Sequence, residues 1–370
     1  TALLHSTVVM EKRDALKVWT ILLAIVGFSL SLLGTILVRS GVLTSVHTFA
    51  TDPARGAFIL GILVFFIGGA FALFAWRAPL LRHGGLFAPV SREGALVLNN
   101  LFLATACATV FIGTLYPLAL ESLTGEKISV GAPYFEATFL PIMLPLLFLI
   151  PIGQTLAWKR GELLGAAQRL MGAFALAIAA GLAVIAITEG GLVLAIVSIG
   201  LGFFIIFGAV SDTLLRCWPK GAQLAVVWRR AVGLPRSAWG TTLAHAGVGV
   251  VVIGIAASAW STEDITLVKP GGRVQVGPYS LRLDGVFPRA LGNYREEVAR
   301  FMVSRQGRDI GALEASKRLY TTRGMPTTEA GIMTIGLGQL YVSLGDNEAD
   351  GAIGLRAYWK PYVTLIWLGS

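Results

Sequence analysis

Charge is what this sequence has least of. Only 14% of its 370 residues are Asp, Glu, Lys or Arg, against 55% hydrophobic and a mean hydropathy of +0.72. Soluble domains carry about one quarter charged residues, so a wholly water-soluble fold is excluded and lipid is the expected solvent. Cysteine is scarce too. Cys107 falls in an apolar run and Cys217 in a basic loop, so a disulfide between them is not expected. There is no C-x-x-C-H, which excludes a c-type haem attachment site on this chain. No Ser-His-Asp set, metal-type Cys cluster or phosphate loop offers itself for chemistry. Histidine occurs only four times, as His5, His47, His83 and His245, so each can be weighed singly.

What is present is a series of apolar runs. A hydrocarbon core roughly 30 Å thick needs about 20 apolar residues to cross as helix. Runs of that length lie near 18–38, 56–76, 95–116, 137–158, 168–187, 190–210 and 240–260. Part of one more precedes residue 11 and another follows 361. The chain opens at Thr1 inside an apolar stretch and stops at TLIWLGS inside another, so a piece cut at both ends is expected. No signal peptide is visible, and upstream spans would make one unnecessary.

The net charge of +9 is a topology signal, not a nucleic-acid footprint. Loops 11–17, 77–94, 159–169 and 211–239 hold fourteen basic residues: Lys12, Arg13, Lys17, Arg77, Arg82, Arg92, Lys159, Arg160, Arg169, Arg216, Lys220, Arg229, Arg230 and Arg236. The alternate loops hold only Arg39, Arg55 and Lys127. Cationic side chains resist translocation, so the first set is assigned to the cytoplasm. The segment 117–136 then reads as an outer loop entered at Tyr116-Pro117.

After Trp260 the composition changes. Residues 261–360 hold 13 Lys or Arg and 11 Asp or Glu in mixed order. Alternating runs ITLV, SLRLDGVF, LYVSL and LRAYW are separated by KPGGR, QVGPY and LGDNEADG, which predicts a β-rich domain. The expected fold class is therefore a polytopic α-helical membrane protein with a small β-rich outer-face soluble domain. Its parts are a multi-span domain over 1–260, a periplasmic β-rich domain over 261–360 and the start of a further span over 361–370.

His5 and His245 each lie roughly five residues inside the basic boundary, which at 1.5 Å per residue is a common depth of about 7 Å. An imidazole in hydrocarbon needs a partner or a cavity. Two at one depth suit axial ligation of a single haem iron; two unrelated packing histidines fit the spacing equally well. The glycines of AHAGVGV would admit a flat macrocycle or serve close helix packing. His47, in SGVLTSVHTFATDPAR, is water-facing or interfacial, and His83 belongs to a basic surface segment. Asn99 and Asn100 lie in the inner half of their span, where amides bond between helices or would receive a quinol headgroup.

Several strings carry a resemblance. LVRSGVLTSVHTFATDPARG, NNLFLATACATVFIGTLYPL, LTGEKISVGAPYF, LAHAGVGVVVIGIA, RGMPTTEAGI and AYWKPYVTLIWLG together resemble the CcmF family of cytochrome c maturation haem lyases, in the family's order along the whole chain. The resemblance implies that His5 in TALLHS and His245 in LAHAGVG hold a transmembrane b haem. It implies that His47 in TSVHTFA is the second of two outer-face ligands of a substrate haem. The family's tryptophan-rich motif and its first outer histidine are not found here and would lie upstream of Thr1. Implied partners are a haem chaperone of the CcmE type, apocytochrome c, other maturation subunits of the inner membrane and a membrane quinol. Arg318, Tyr320, Arg323, Met325, Pro326 and Glu329 would form either a docking surface or part of a packed cap. Two rival classes remain: a quinol-oxidising b-type cytochrome without ligase activity, and a haem transporter, whose internal repeats are not apparent.

Overall fold

The computed structural model describes residues 1–40, 53–81, 87–188, 192–219, 221–321, 325–347 and 351–370. Its internal packing divides it into two compact units, Thr1–Met171 and Gly172–Ser370.

The apolar runs fold as helices because every backbone polar group must be satisfied within the segment once water is absent. The first unit holds α1 (Ala2–Arg13), α2 (Lys17–Ser40), α3 (Pro53–Arg77), α4 (Arg92–Thr124), α5 (Ala132–Thr155) and the start of α6 (Leu163–Thr188). The second holds the rest of α6, then α7 (Val193–Cys217), α8 (Leu224–Gly233), α9 (Arg236–Ala257) and the terminal α10 (Thr364–Gly369). Among the described residues seven helices, α2 to α7 and α9, are long and apolar enough to cross a membrane. Their surfaces carry exposed Phe58, Phe65, Ile187 and Leu243, the reverse of a water-soluble bundle.

Three local expectations are corrected. Helix α4 runs on through Pro117 to Thr124, so the segment expected as an outer loop over 117–136 narrows to 125–131. An internal proline forfeits one helical bond, but an unwound stretch in an apolar setting would forfeit several. Cys217 is the buried last residue of α7 and not part of a loop. The basic segment after it contains a helix, α8, whose Leu224, Trp228 and Val232 recur at helical spacing and are exposed beside Arg229 and Arg230.

Small residues set the packing in the second unit. A Cβ on Gly249 of α9 would sit 2.5 Å from the carbonyl oxygen of Gly202 in α7, so the two backbones touch. The Thr213 and Thr242 hydroxyls meet across the same pair at 2.5 Å. Gly247 lies as close to the Gly369 carbonyl of α10, and Gly254 to Ile366. The glycines around His245 thus serve helix packing, one of the two uses their spacing allowed.

Between α9 and α10 the chain makes two antiparallel sheets. One has strand order β1 (Thr262–Val268), β9 (Ile353–Lys360), β8 (Gly338–Asn347), β7 (Gly331–Ile335). The other runs β2 (Arg273–Val276), β3 (Tyr279–Leu291), β4 (Tyr294–Arg305), β5 (Arg308–Tyr320), β6 (Met325–Glu329). Alternate residues of both bury one core that includes Leu281, Leu283, Phe301, Val303, Leu340, Val342 and Leu355. Trp359 packs on Tyr279 with ring centroids 4.7 Å apart. Gly338 leaves the space its indole occupies: a Cβ there would overlap the ring.

Candidate functional site

The sequence-predicted site residues fall into separate neighbourhoods. His47 and His83 lie outside the described residues, as does Arg323. His5 stands on α1 in the first unit and His245 on α9 in the second.

His5 is held in a polar cluster built by three helices. Asn99 on α4 places its side-chain amide 2.7 Å from His5 Nδ1. Next to it Asn100, with no exposed surface, lies 3.2 Å from the Asn99 amide and 2.7 Å from the Ser6 hydroxyl, also fully buried. Trp19 of α2 brings its indole Nε1 within 3.2 Å of the same end of Asn100, and the Ala2 carbonyl lies 3.3 Å from the other end. Both amides are thus engaged by protein neighbours. Sequence reasoning singled out Asn99 and Asn100 but missed Trp19 and Ser6, which no local pattern marks.

A buried ionic knot fixes the end of α1 against α4. Ser91 caps α4 by accepting from the Gly94 N–H at 3.0 Å. Glu93, 1% exposed, accepts from Arg13 Nε at 2.9 Å and from the Lys159 backbone N–H at 2.8 Å. Arg92 donates to the carbonyls of Leu156 and Gln154 and lies over the Trp158 ring at 5.4 Å. These bonds bind the ends of α1, α4 and α5 together, and so set the register that brings His5 level with Asn99. A buried carboxylate needs this number of partners to remain in its site.

His245 is half-buried, and its Nδ1 lies 2.7 Å from the Thr241 carbonyl one turn earlier. A carbonyl can only accept, so Nδ1 carries the proton and the neutral ring keeps its lone pair on Nε2. That is the arrangement of a metal-ligating histidine, whose other nitrogen donates to a backbone carbonyl. The donor chemistry at His245 therefore fits an axial haem ligand. Among the described residues no group of three or more His, Cys, Asp or Glu is arranged to hold a bare metal ion.

The sandwich carries a second buried charge. Glu296 on β4 accepts from Arg318 at 2.8 Å, from Ser316 at 2.8 Å and from Arg289 at 2.5 Å. Burial alone would raise this carboxyl, but the bonds from Arg318, Ser316 and Arg289 outweigh it and hold the group at about 2. Arg318 also reaches Glu329 at 3.3 Å and covers the Tyr294 ring at 4.6 Å, and Tyr294 packs on Tyr320. Three residues singled out from the sequence, Arg318, Tyr320 and Glu329, therefore share one face of one sheet.

Among the described residues, seven membrane-length helices and a two-sheet sandwich define a multi-span membrane protein with a β domain. A family model described as the CcmF C-terminal beta-sandwich matches residues 259–361. The curated relative CycK of Rhizobium meliloti (strain 1021), a cytochrome c-type biogenesis protein, is 60% identical over the whole chain, which covers 55% of that relative's length. The cytochrome c-type biogenesis protein CcmF of Escherichia coli (strain K12) is 38% identical, again over the whole chain and 56% of its own length. A solved structure titled Cytochrome c Heme Lyase CcmF superposes with TM-score 0.72 at 24% identity, covering all of this chain and 55% of that one. The chain is similar along its whole length to these cytochrome c-type biogenesis proteins, carries the CcmF C-terminal beta-sandwich, and spans little more than half the length of these relatives.

Proposed function

We propose that the protein is a component of cytochrome c maturation that joins haem to apocytochrome c at the outer face of the inner membrane. The reading is carried by the identity to curated cytochrome c-type biogenesis proteins along the whole chain.

In this reading His5 and His245 would hold the iron of a transmembrane b haem. The Nδ1–H of His245, donated to Thr241, supports that role, because it places the ring's lone pair on Nε2. Such a haem, when bound, supplies one-electron transfer. The electrons come from a membrane quinol. Asn99 and Asn100 are engaged with His5, Ser6 and Trp19, which supports a role in orienting His5 beside the headgroup they were expected to receive. His47 is an axial ligand of the substrate haem, which arrives on a haem chaperone of the CcmE type. Each apocytochrome thiol adds S–H across a haem vinyl group: sulfur bonds one carbon, hydrogen goes to the other, and no net oxidation occurs. The excess of basic residues in alternate loops supports placing α8 in the cytoplasm and the sandwich in the periplasm. The face bearing Arg318, Tyr320 and Glu329 is the proposed contact for apocytochrome or for other maturation subunits.

The test is the visible spectrum and pyridine haemochrome of the purified full-length protein and of its His5→Ala and His245→Ala variants. Loss of b haem in both is expected; unchanged b haem in both overturns the ligand assignment. His47→Ala is expected to keep the b haem and abolish c-type cytochrome formation. Retained cytochrome formation would favour a quinol-oxidising cytochrome without ligase activity.

A further inference from the structure

The hydrogen bonds around His5 contain a chain of one-way constraints. Trp19 begins it. An indole N–H can only donate, and it lies 3.2 Å from one end of the Asn100 side chain, an end also 2.7 Å from Ser6 Oγ. The opposite end lies 3.3 Å from the Ala2 carbonyl, which can only accept. Amide oxygen and nitrogen are nearly the same size, and their partners tell them apart. Both neighbours give the same answer: the Asn100 oxygen faces Trp19 and Ser6, and its NH2 faces Ala2.

The consequence passes to Asn99. The Asn100 NH2 now points at the Asn99 amide 3.2 Å away, and two NH2 groups cannot bond one another. Asn99 must present its oxygen at this point. That same atom is 2.7 Å from His5 Nδ1. An amide oxygen has two lone pairs, so it accepts from Asn100 and from His5 together. His5 Nδ1 is therefore protonated, and the neutral ring carries its lone pair on Nε2. In this arrangement both ends of Asn100 are satisfied, as its complete burial requires. The reverse orientation turns the Asn100 NH2 against the Trp19 N–H, and Asn99 would then donate to His5 Nδ1 and move the proton to Nε2.

We infer that Trp19, Asn100 and Asn99 form a directional hydrogen-bond relay that fixes His5 in its Nδ1–H tautomer, with Asn99 and Trp19 as positioning residues. The relay sets His5 in the tautomer that the Thr241 carbonyl imposes on His245. Its value for function rests on the proposal that His5 binds haem iron; the tautomer itself does not.

Two measurements separate these dependencies. With only four histidines in the chain, selective 15N-histidine labelling of the intact protein from haem-deficient cells resolves the His5 tautomer by NMR. Nδ1–H is expected in the wild type and a mixture in Trp19→Phe, a variant that leaves His5 and Asn99 in place. Nε2–H in the wild type overturns the relay whatever the protein binds. The second measurement is the midpoint potential and occupancy of the b haem in the haem-loaded protein. A hydrogen-bond acceptor on Nδ1–H raises ligand basicity and favours ferric iron, and its removal typically costs about 10- to 100-fold in metal affinity. Asn99→Leu should shift the redox equilibrium toward ferrous iron and lower haem occupancy about tenfold; Asn99→Asp should shift the equilibrium toward ferric iron. A tenfold redox change reads as about 59 mV for one electron. Wild-type potential and occupancy in both variants would overturn the relay. A correct tautomer in a protein that binds no b haem would leave the relay standing and remove the haem reading.

Discussion

Glu296 and Arg318 face each other on neighbouring strands, the carboxylate accepting at 2.8 Å with its side chain wholly out of water. The pair joins β4 to β5 where the sheet extends beyond the main core. Its titration has a definite sign. The folded carboxyl sits at about 2, below its ordinary value of 4.5. A depressed group stabilises the fold above the unfolded value, and that contribution is lost as pH falls through the folded one. Sandwich stability should therefore decline between roughly pH 4.5 and 2. Pulse proteolysis of the intact protein across that range measures it. Glu296→Gln should flatten the decline and, at neutral pH, cost about 3 kcal/mol by leaving two arginines without their shared partner. An unchanged acid profile would contradict the assignment.

Glu93 is the corresponding joint of the first unit. Glu93→Ala strips the acceptor from Arg13 and from the Lys159 N–H. The expected loss is about 3 kcal/mol or more, with a lower thermal midpoint in detergent. Because the same knot holds α1 against α4, the content of the proposed b haem should fall as well. Full b-haem content in a destabilised variant would separate the knot from His5.

Helix packing gives a steric prediction. Gly249→Val drives a side chain into the Gly202 carbonyl and should cost about 1–3 kcal/mol of stability. Gly181→Val, where nothing lies within 4 Å, is the control and should melt like the wild type. Equal melting of the two variants would remove the contact between α7 and α9 from the fold.

Topology can be read by labelling. With both native cysteines replaced by serine, Arg160→Cys and Asp309→Cys present single thiols at exposed positions. An impermeant maleimide added to intact spheroplasts should modify the second and spare the first. The reverse pattern would invert the proposed orientation.

The spans were readable because burial in lipid writes itself into sequence as length and lack of charge. Helix ends were less so. Pro117 suggests a stop, yet α4 continues through it, because a proline removes one bond of the helical ladder and leaves the others in place. Strands β1, β3, β8 and β9 show alternation. Strands β4 and β5 hide it: burial changes face along them, so Val298 and Ala299, and Ala315 and Ser316, are buried in succession. At the candidate site, His5 and His245 were visible as rare residues in apolar runs. Trp19 was not, because its role comes from one donor atom pointing at an amide 81 positions away.

The sandwich is hung on the membrane helices at two points that touch. Its first and last strands are hydrogen-bonded neighbours, Thr262 opposite Trp359. The helices leading in and out, α9 and α10, are pressed together at Gly247 and Gly369. A domain on one tether swivels freely; a domain whose two tethers are zipped together behaves as a lever on a stiff stem. Torque applied to the sandwich is delivered to α9, the helix that carries His245, two residues before the Gly247 contact.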